Sequence, residues 1–326
     1  MASISIYVEM NFMQRKIALI LVTFSVIFWG TNFNIGKIVI EHVSPLATAA
    51  IRFVLASLLL VPLVFCLESS VTIKEMVKRN IWVYLFLGLI GVAGFNGLIS
   101  VGLKYTTAIN AALIMATNPL ITTLLSALLL KCTINASQRV GLLISLMGVI
   151  AVITHGSLDM LLHLRIATGD WLVMAGNICW AAYSVFGRRY LNDSKPMITT
   201  AATMSIGAVA LALMASYDVN MSELLHQTPF IYMSLLYMAI FGSVIAYLFW
   251  NYGISLLGAG NTSVFFNLVP VVTVLVAVIL GQPILPIQII GGMIVISGVL
   301  LSTNVINLSV LFGRLKRSSR NTVAGW

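Results

Sequence analysis

The sequence predicts an all-α integral membrane protein with ten transmembrane helices arranged as two inverted five-helix repeats. Three observations lead there. Hydrophobic residues make up 60% of the 326 and charged residues only 8%, whereas a soluble domain carries about 25% charged residues. Ten apolar stretches follow one another with short polar separators, each close to the roughly 20 residues that cross a bilayer core of about 30 Å. The second half of the chain also repeats the first at an offset of 151 residues, which becomes 150 toward the end of each copy. With a mean hydropathy of +1.04, no sizeable soluble domain fits beside these spans.

The stretches run 15–37, 45–67, 81–103, 108–130, 137–155, 170–191, 196–217, 230–256, 260–280 and 285–304. The first is longer than the apolar core of a signal peptide and lacks a small-residue cleavage site after it, so it reads as a retained span. Pro45, Pro196 and Pro286 mark the separators before the second, seventh and tenth stretches, and prolines of this kind punctuate helices. The polar clusters SSVTIKEMVKRN (69–80) and DVNMSELLHQTP (218–229) read as short connections or interfacial segments. The expected organisation is a tail over 1–14, a first repeat over 15–155, a second over 170–304 and a basic tail over 305–326.

Charge sets the expected orientation. With the N-terminus cytoplasmic, the inner segments hold Arg15, Lys16, Lys74, Lys78, Arg79, Lys131, Arg139, Arg188, Arg189, Lys195, Arg314, Lys316, Arg317 and Arg320. The outer segments hold only Lys37, Lys104 and Arg165. Basic residues concentrate on the cytoplasmic side of membrane proteins, so both termini are expected in the cytoplasm. The net charge of +9 does not imply a nucleic-acid partner, because these residues are spread between apolar runs rather than clustered on one folded face. The run GRLKRSSR, Gly313 to Arg320, reads as a tail attracted to anionic lipid.

The offset of 151 places Trp29 on Trp180, Gly36 on Gly187, Lys37 on Arg188 and Pro45 on Pro196. It continues through Gly91 and Gly242, Gly102 and Gly253, Asn110 and Asn261, and Pro119 and Pro270. At an offset of 150, Gln138 meets Gln288, Gly141 meets Gly291 and Gly148 meets Gly298. Trp, Asn and Gln matching in one register argues against chance among glycines and prolines. Five spans per copy is an odd number, so the second copy enters from the opposite side. Secondary transporters use such inverted repeats, with a midplane site between the halves.

The stretch FWGTNFNIGK (Phe28 to Lys37), the run Ile51-Arg52-Phe53 after Pro45, Asn118-Pro119 and the duplicated layout over about residues 15–304 resemble the EamA-type transporters of the drug/metabolite transporter superfamily. The resemblance implies a ten-helix bundle with a central cavity, cytoplasmic termini, an inner-membrane location and export of amino acids or other small metabolites. The family commonly has Glu after the fourth and ninth spans. This chain has Lys131 and Gln282 there, and the two are repeat partners.

Candidate chemistry is limited by an absence. The acids Glu9, Glu41, Glu68, Glu75, Asp159, Asp170, Asp193, Asp218 and Glu223 all fall in tails, loops or span ends, as do the four histidines. A carboxylate dyad, a His-based triad or a metal cluster at membrane depth therefore has no candidates. Cys66, Cys132 and Cys179 form no CxxC spacing and are odd in number, so neither a disulfide framework nor a zinc site follows. No enzyme activity, cofactor or metal is expected.

The exception is Arg52, seven residues past Pro45 and so about 10 Å along the helix at 1.5 Å per residue. An intramembrane charge usually faces a cavity or a partner. Arg52 reads either as an anion contact or as a structural group that snorkels outward or bonds backbone carbonyls and acids such as Glu41. Asn32, Asn34, Asn96, Asn118, Asn177, Asn251 and Asn267 should face the bundle interior, since an amide in lipid needs a partner. Asn118 and Asn267 are the stronger pathway candidates, each within three residues of a repeat-paired proline that frees a carbonyl. Trp29, Trp180, Tyr183 and Tyr247 are placed deep, as core packing or as a lining for an apolar solute body. Trp82, Trp171 and Trp250 lie nearer span ends and read as belt anchors.

The expected substrate-binding set is therefore Trp29, Asn32, Arg52, Asn96, Asn118, Trp180, Tyr183, Tyr247 and Asn267. The expected partners are a small-molecule substrate and the lipid bilayer, with no nucleic acid and an oligomeric state that includes the monomer. The competing readings are a proton-coupled drug/cation antiporter, which would want a membrane carboxylate, and a membrane-embedded enzyme or receptor.

Overall fold

The computed structural model describes residues 2–106, 108–217 and 224–303, and every regular element among them is helical. The basic tail expected at 305–326 lies outside the described residues, as do Asp218 and Glu223. The helices are α1 Ala2–Val39, α2 Pro45–Leu67, α3 Ser70–Gly102, α4 Asn110–Leu130, α5 Ala136–Ile153, α6 Thr168–Tyr190, α7 Pro196–Ala215, α8 Pro229–Leu257, α9 Ala259–Ile279 and α10 Pro286–Ser302. A short helix, Leu158–Leu162, sits between α5 and α6. Eight of these helices, α1 to α5 and α7 to α9, are long and apolar enough to cross a membrane. The other two differ in kind: α10 is apolar but has 17 residues, and α6 carries Asp170, Asn177, Arg188 and Arg189.

Local chemistry sets the boundaries. Ser44 accepts the Ala47 N–H at 3.3 Å ahead of Pro45, and Asn135 accepts the Gln138 N–H at 2.7 Å at the start of α5; a side-chain oxygen at the N-cap satisfies an orphan donor of the first turn. One sequence expectation changes. The segment 69–80 is not a connection but the first turns of α3, because Ser69 caps it through the Thr72 N–H at 3.1 Å and no Gly or Pro follows. The segment expected as an N-terminal tail is likewise helical from Ala2, where no helix breaker stands.

The bundle is apolar outside and polar inside. Leu58, Phe65, Leu128, Met147, Leu213 and Ile279 are exposed, while Asn118, Asn177, Asn267, Thr122, Thr200 and Ser145 are buried. That distribution suits a hydrocarbon surround, in which interior amides and hydroxyls find their partners across helices.

Helix contacts come in pairs that exchange when each residue is replaced by its counterpart about 151 positions away. The packing of α1 on α8 is matched by α6 on α3, α1 on α9 by α6 on α4, and α2 on α8 by α7 on α3. The repeat partners α2 and α7 pack on each other, as do α5 and α10. The detail agrees: Gly91 lies against Tyr183 and Gly242 against Asn32, while Gly102 lies against Val173 and Gly253 against Val22. In the α5–α10 contact, a Cβ on Gly141 would overlap the Gly298 and Ser302 backbone, and one on Gly148 would lie 2.8 Å from the Gly291 carbonyl oxygen. These two helices therefore run antiparallel, touching backbone to backbone along a stripe of glycine.

Candidate functional site

At one end of the bundle α4, α6 and α8 finish while α5 and α9 begin, and Lys131, Arg139, Arg188, Arg189 and Lys195 collect there. This is the basic end. Lys195 pairs with Glu68 at 2.5 Å on its surface. Lys37, Lys104 and Arg165 lie at the opposite end.

Midway between the ends the two repeats meet in a cluster of aromatic rings. Trp29 and Trp180 touch edge to face, with centroids 5.4 Å apart. Tyr247 packs against both, at 5.9 and 5.4 Å, and Trp180 stacks on Tyr183 at 5.4 Å. Trp250, Phe266, Phe95 and Phe53 join the cluster. Trp82 and Trp171, expected as belt anchors, are 80% and 69% exposed, but Trp250 is 0% exposed. Its expected place as an anchor is corrected because its ring turns inward, against Trp29, Trp180 and Phe266.

The backbone beside this cluster departs from the α-helix in both repeats. Residues Leu87–Gly94 of α3 and Met238–Ile245 of α8 are π-helical, at the repeat offset of 151 from each other. Wide turns of this kind occur often at functional positions. They present main-chain carbonyls to side chains: Trp29 Nε1 donates to the Gly242 oxygen at 2.9 Å, and Asn96 Nδ2 donates to the Val92 oxygen at 2.8 Å. The corresponding indole N–H of Trp180 is buried and has no partner among the described residues.

Arg52, Asn96 and Tyr247 form a polar file toward the opposite end. The Arg52 guanidinium donates to Asn96 Oδ1 at 3.2 Å, and Asn96 Nδ2 reaches the Tyr247 hydroxyl at 3.4 Å. Among the described residues no acid pairs with Arg52, and its buried Nε has no acceptor. Its Cζ lies 4.5 Å from the Phe53 ring centroid. Asn251 of α8 donates to the Tyr183 hydroxyl at 2.8 Å and to Thr200 Oγ1 at 2.9 Å. Asn32 lies against Gly242, with its Oδ1 buried and without a partner among the described residues.

The other two candidates lie elsewhere: Asn118 is engaged through both amide atoms, whereas Asn267 is bonded only through Nδ2 and its buried Oδ1 has no partner among the described residues. Asn118 Nδ2 donates to Asn177 Oδ1 at 2.6 Å, and its Oδ1 accepts from Thr122 at 3.1 Å. Asn177 in turn bonds the Ile114 oxygen at 2.7 Å, so the pair ties α4 to α6 where α4 breaks at Thr117 ahead of Pro119. Asn267 Nδ2 donates to Ser145 Oγ at 2.8 Å, joining α9 to α5, within the 3-10 stretch Val264–Leu268 that precedes Pro270. Both prolines thus follow a local change in helix geometry.

Sequence reasoning did not find the paired π segments, nor a cavity of about 260 Å³ at the basic end, lined by Thr123, Ser126, Gln138, Arg188, Gly260 and Asn261 among others. Gly91 and Gly242 were the available signal for the former; a scattered set of hydroxyls gave none for the latter. At the opposite end Asp170 accepts from the Ala167 N–H at 2.8 Å, from Asn110 at 2.9 Å and from Thr106, closing the ends of α3, α4 and α6 together. Among the described residues no group of three or more His, Cys, Asp or Glu side chains could hold a metal ion.

Comparison with known proteins agrees with this architecture. The EamA-like transporter family matches residues 16–154 and 167–304. An uncharacterized transporter of Bacillus subtilis, YyaM, is 41% identical over 293 residues, covering 90% of this chain and 95% of its own. The uncharacterized inner membrane transporter YedA of Escherichia coli is 29% identical over 258 residues, covering 78% and 80%. A crystal structure with a TM-score of 0.71 and 18% identity, covering 90% of this chain and 99% of its own, shares the fold. The two family matches fall on the two halves whose contacts exchange, and together they span most of the chain: it is a multi-pass membrane protein of the EamA-like transporter family.

Proposed function

We propose that the chain is a secondary transporter that moves small metabolites, amino acids or related solutes, out of the cell across the inner membrane by alternating access. The observation that carries the reading is the set of unmatched polar groups around the central rings. Arg52 Nε, Trp180 Nε1 and Asn32 Oδ1 are buried without partners among the described residues. Each such group is costly to bury alone, and a solute with a carboxylate and a polar second group would satisfy them.

In this reading all ten helices span the membrane, α1 to α5 and α6 to α10 forming inverted repeats over 15–155 and 170–304. The antiparallel α5–α10 contact and the exchanging helix pairs support it. The basic end faces the cytoplasm, as do both termini. Arg52, Asn96 and Tyr247 hold the anionic part of the solute, while Trp29, Trp180 and Tyr183 cover its apolar part and Asn32 takes a donor. Asn118 and Asn267 brace the broken helices that frame the pathway. Rocking of one repeat against the other would open the rings to each end in turn.

The test is flux of radiolabelled amino acids and other small metabolites in proteoliposomes made with purified protein. The expected result is saturable counterflow of a restricted set of solutes, lost in Arg52→Gln. Flux indistinguishable from protein-free liposomes across the whole set would overturn the proposal.

A further inference from the structure

We propose that the cavity at the basic end is a second binding site, an oxyanion-recognising vestibule that receives the solute before it reaches the central rings. Its rest on the transport reading is confined to calling the occupant a transported solute.

The cavity has about 260 Å³ of space, enough for a small organic anion. Thr123 and Ser126, three apart on α4 and so on one helix face, both line it. They are 3% and 4% exposed, and neither hydroxyl has a partner among the described residues. Buried hydroxyls are nearly always bonded, so two unpartnered ones on residues that line one cavity are donors left for an occupant. Gln138 Nε2 spans the cavity to Asn261 Oδ1 at 3.2 Å, joining the first turns of α5 and α9. Arg188 brings the charge; one of its nitrogens donates to the Ser255 carbonyl, which fixes the guanidinium at the cavity wall with further N–H groups to offer. No Asp or Glu is among the lining residues described.

Donors, a cation and no acid define a site for carboxylate or phosphate oxygens. Gly260 keeps it open. A Cβ there would meet Gln138 Nε2 at 3.5 Å and Thr123 Oγ1 at 3.6 Å, ordinary contacts, so alanine fits and a longer side chain would occupy the solute's volume.

Cys132 also lines the cavity and is exposed, which supplies a readout independent of transport. In a variant with Cys66→Ser and Cys179→Ala, alkylation of Cys132 by a maleimide is followed in nanodiscs of phosphatidylcholine. The probes are acetate, succinate, benzoate, L-glutamate, L-leucine and inorganic phosphate, with benzamide as the neutral counterpart of benzoate. Saturable protection by at least one anion or zwitterion, and none by benzamide, is expected. Thr123→Val and Ser126→Ala should each raise the half-protecting concentration about tenfold, as loss of a hydrogen bond to a charged group does. Neither should lower thermal stability, since each hydroxyl lacks an internal partner. Gly260→Ala should keep protection, and Gly260→Leu and Arg188→Gln should abolish it.

Absence of protection by every probe would overturn the vestibule, as would protection indifferent to Thr123→Val and Gly260→Leu. Protection that arises only when phosphatidylglycerol is added to the nanodisc would assign the site to a lipid headgroup and overturn it equally. Flux without protection removes the vestibule alone; protection without flux removes the transport reading alone.

Discussion

Trp29 and Trp180 occupy the same place in the two repeats and meet at 5.4 Å, yet among the described residues only Trp29 has an acceptor for its indole N–H, the Gly242 oxygen at 2.9 Å. The two halves are therefore alike in backbone and unlike in hydrogen bonding at the contact between them. A solute acceptor at Trp180 would restore the match. Trp29→Phe and Trp180→Phe should accordingly differ. The first loses an internal hydrogen bond and about 1 kcal/mol of stability. The second keeps stability and loses solute affinity, as read by thermal denaturation with and without solute.

Arg52 and Asn118 separate binding from bracing. Arg52→Gln should reduce flux of carboxylate-bearing solutes about tenfold more than flux of their neutral amides, since only the charged pair loses its Coulomb attraction. Equal loss for both classes would return Arg52 to a structural role.

Asn118→Leu should act through the fold. Its amide is fully engaged with Asn177 and Thr122, so the change leaves buried partners unsatisfied and should destabilise by about 1–3 kcal/mol. A double-mutant cycle with Asn177→Leu should show coupling, and flux should fall only in proportion to folded protein.

Gly141 and Gly298 test the antiparallel seam. Alanine at either places a methyl group within a facing backbone, and overpacking of this kind costs about 1–3 kcal/mol. Gly36→Ala, where the nearest atom would be the Met238 methyl at 3.5 Å, should be nearly neutral. Unfolding in graded detergent mixtures measures both.

Lys37 and Arg188, repeat partners at opposite ends of the bundle, test topology. Single cysteines at these positions should react with an impermeant thiol reagent from opposite sides of the membrane. Labelling of both from one side would exclude inverted repeats.

Coupling follows from the same chemistry. A transporter driven by protons ordinarily carries an acid or histidine along its pathway, and Asp170 is engaged in a helix cap and in bonds from Asn110 and Thr106. Dissipating an imposed pH gradient should leave flux of a neutral solute unchanged, and uphill accumulation driven by that gradient would contradict it.

The apolar stretches, the odd repeat at 151 residues and the sparse charges, together with the proline- and serine-marked boundaries, determined by themselves that this is a helical membrane protein built from two related halves. These are properties of local sequence: helix length, capping and hydropathy do not depend on what lies across the bundle. The isolated charge of Arg52 and the depth of Trp29 and Trp180 were legible for the same reason. The tertiary structure decided what spacing along the chain does not contain. That Asn118 spends its hydrogen bonds on Asn177, that Trp250 is buried, that Trp180 lacks an acceptor among the described residues and that Thr123 and Ser126 share a cavity with Arg188 all depend on which helix stands opposite. An amide or a hydroxyl reads the same in sequence whether its partner is present or missing, and only packing settles which.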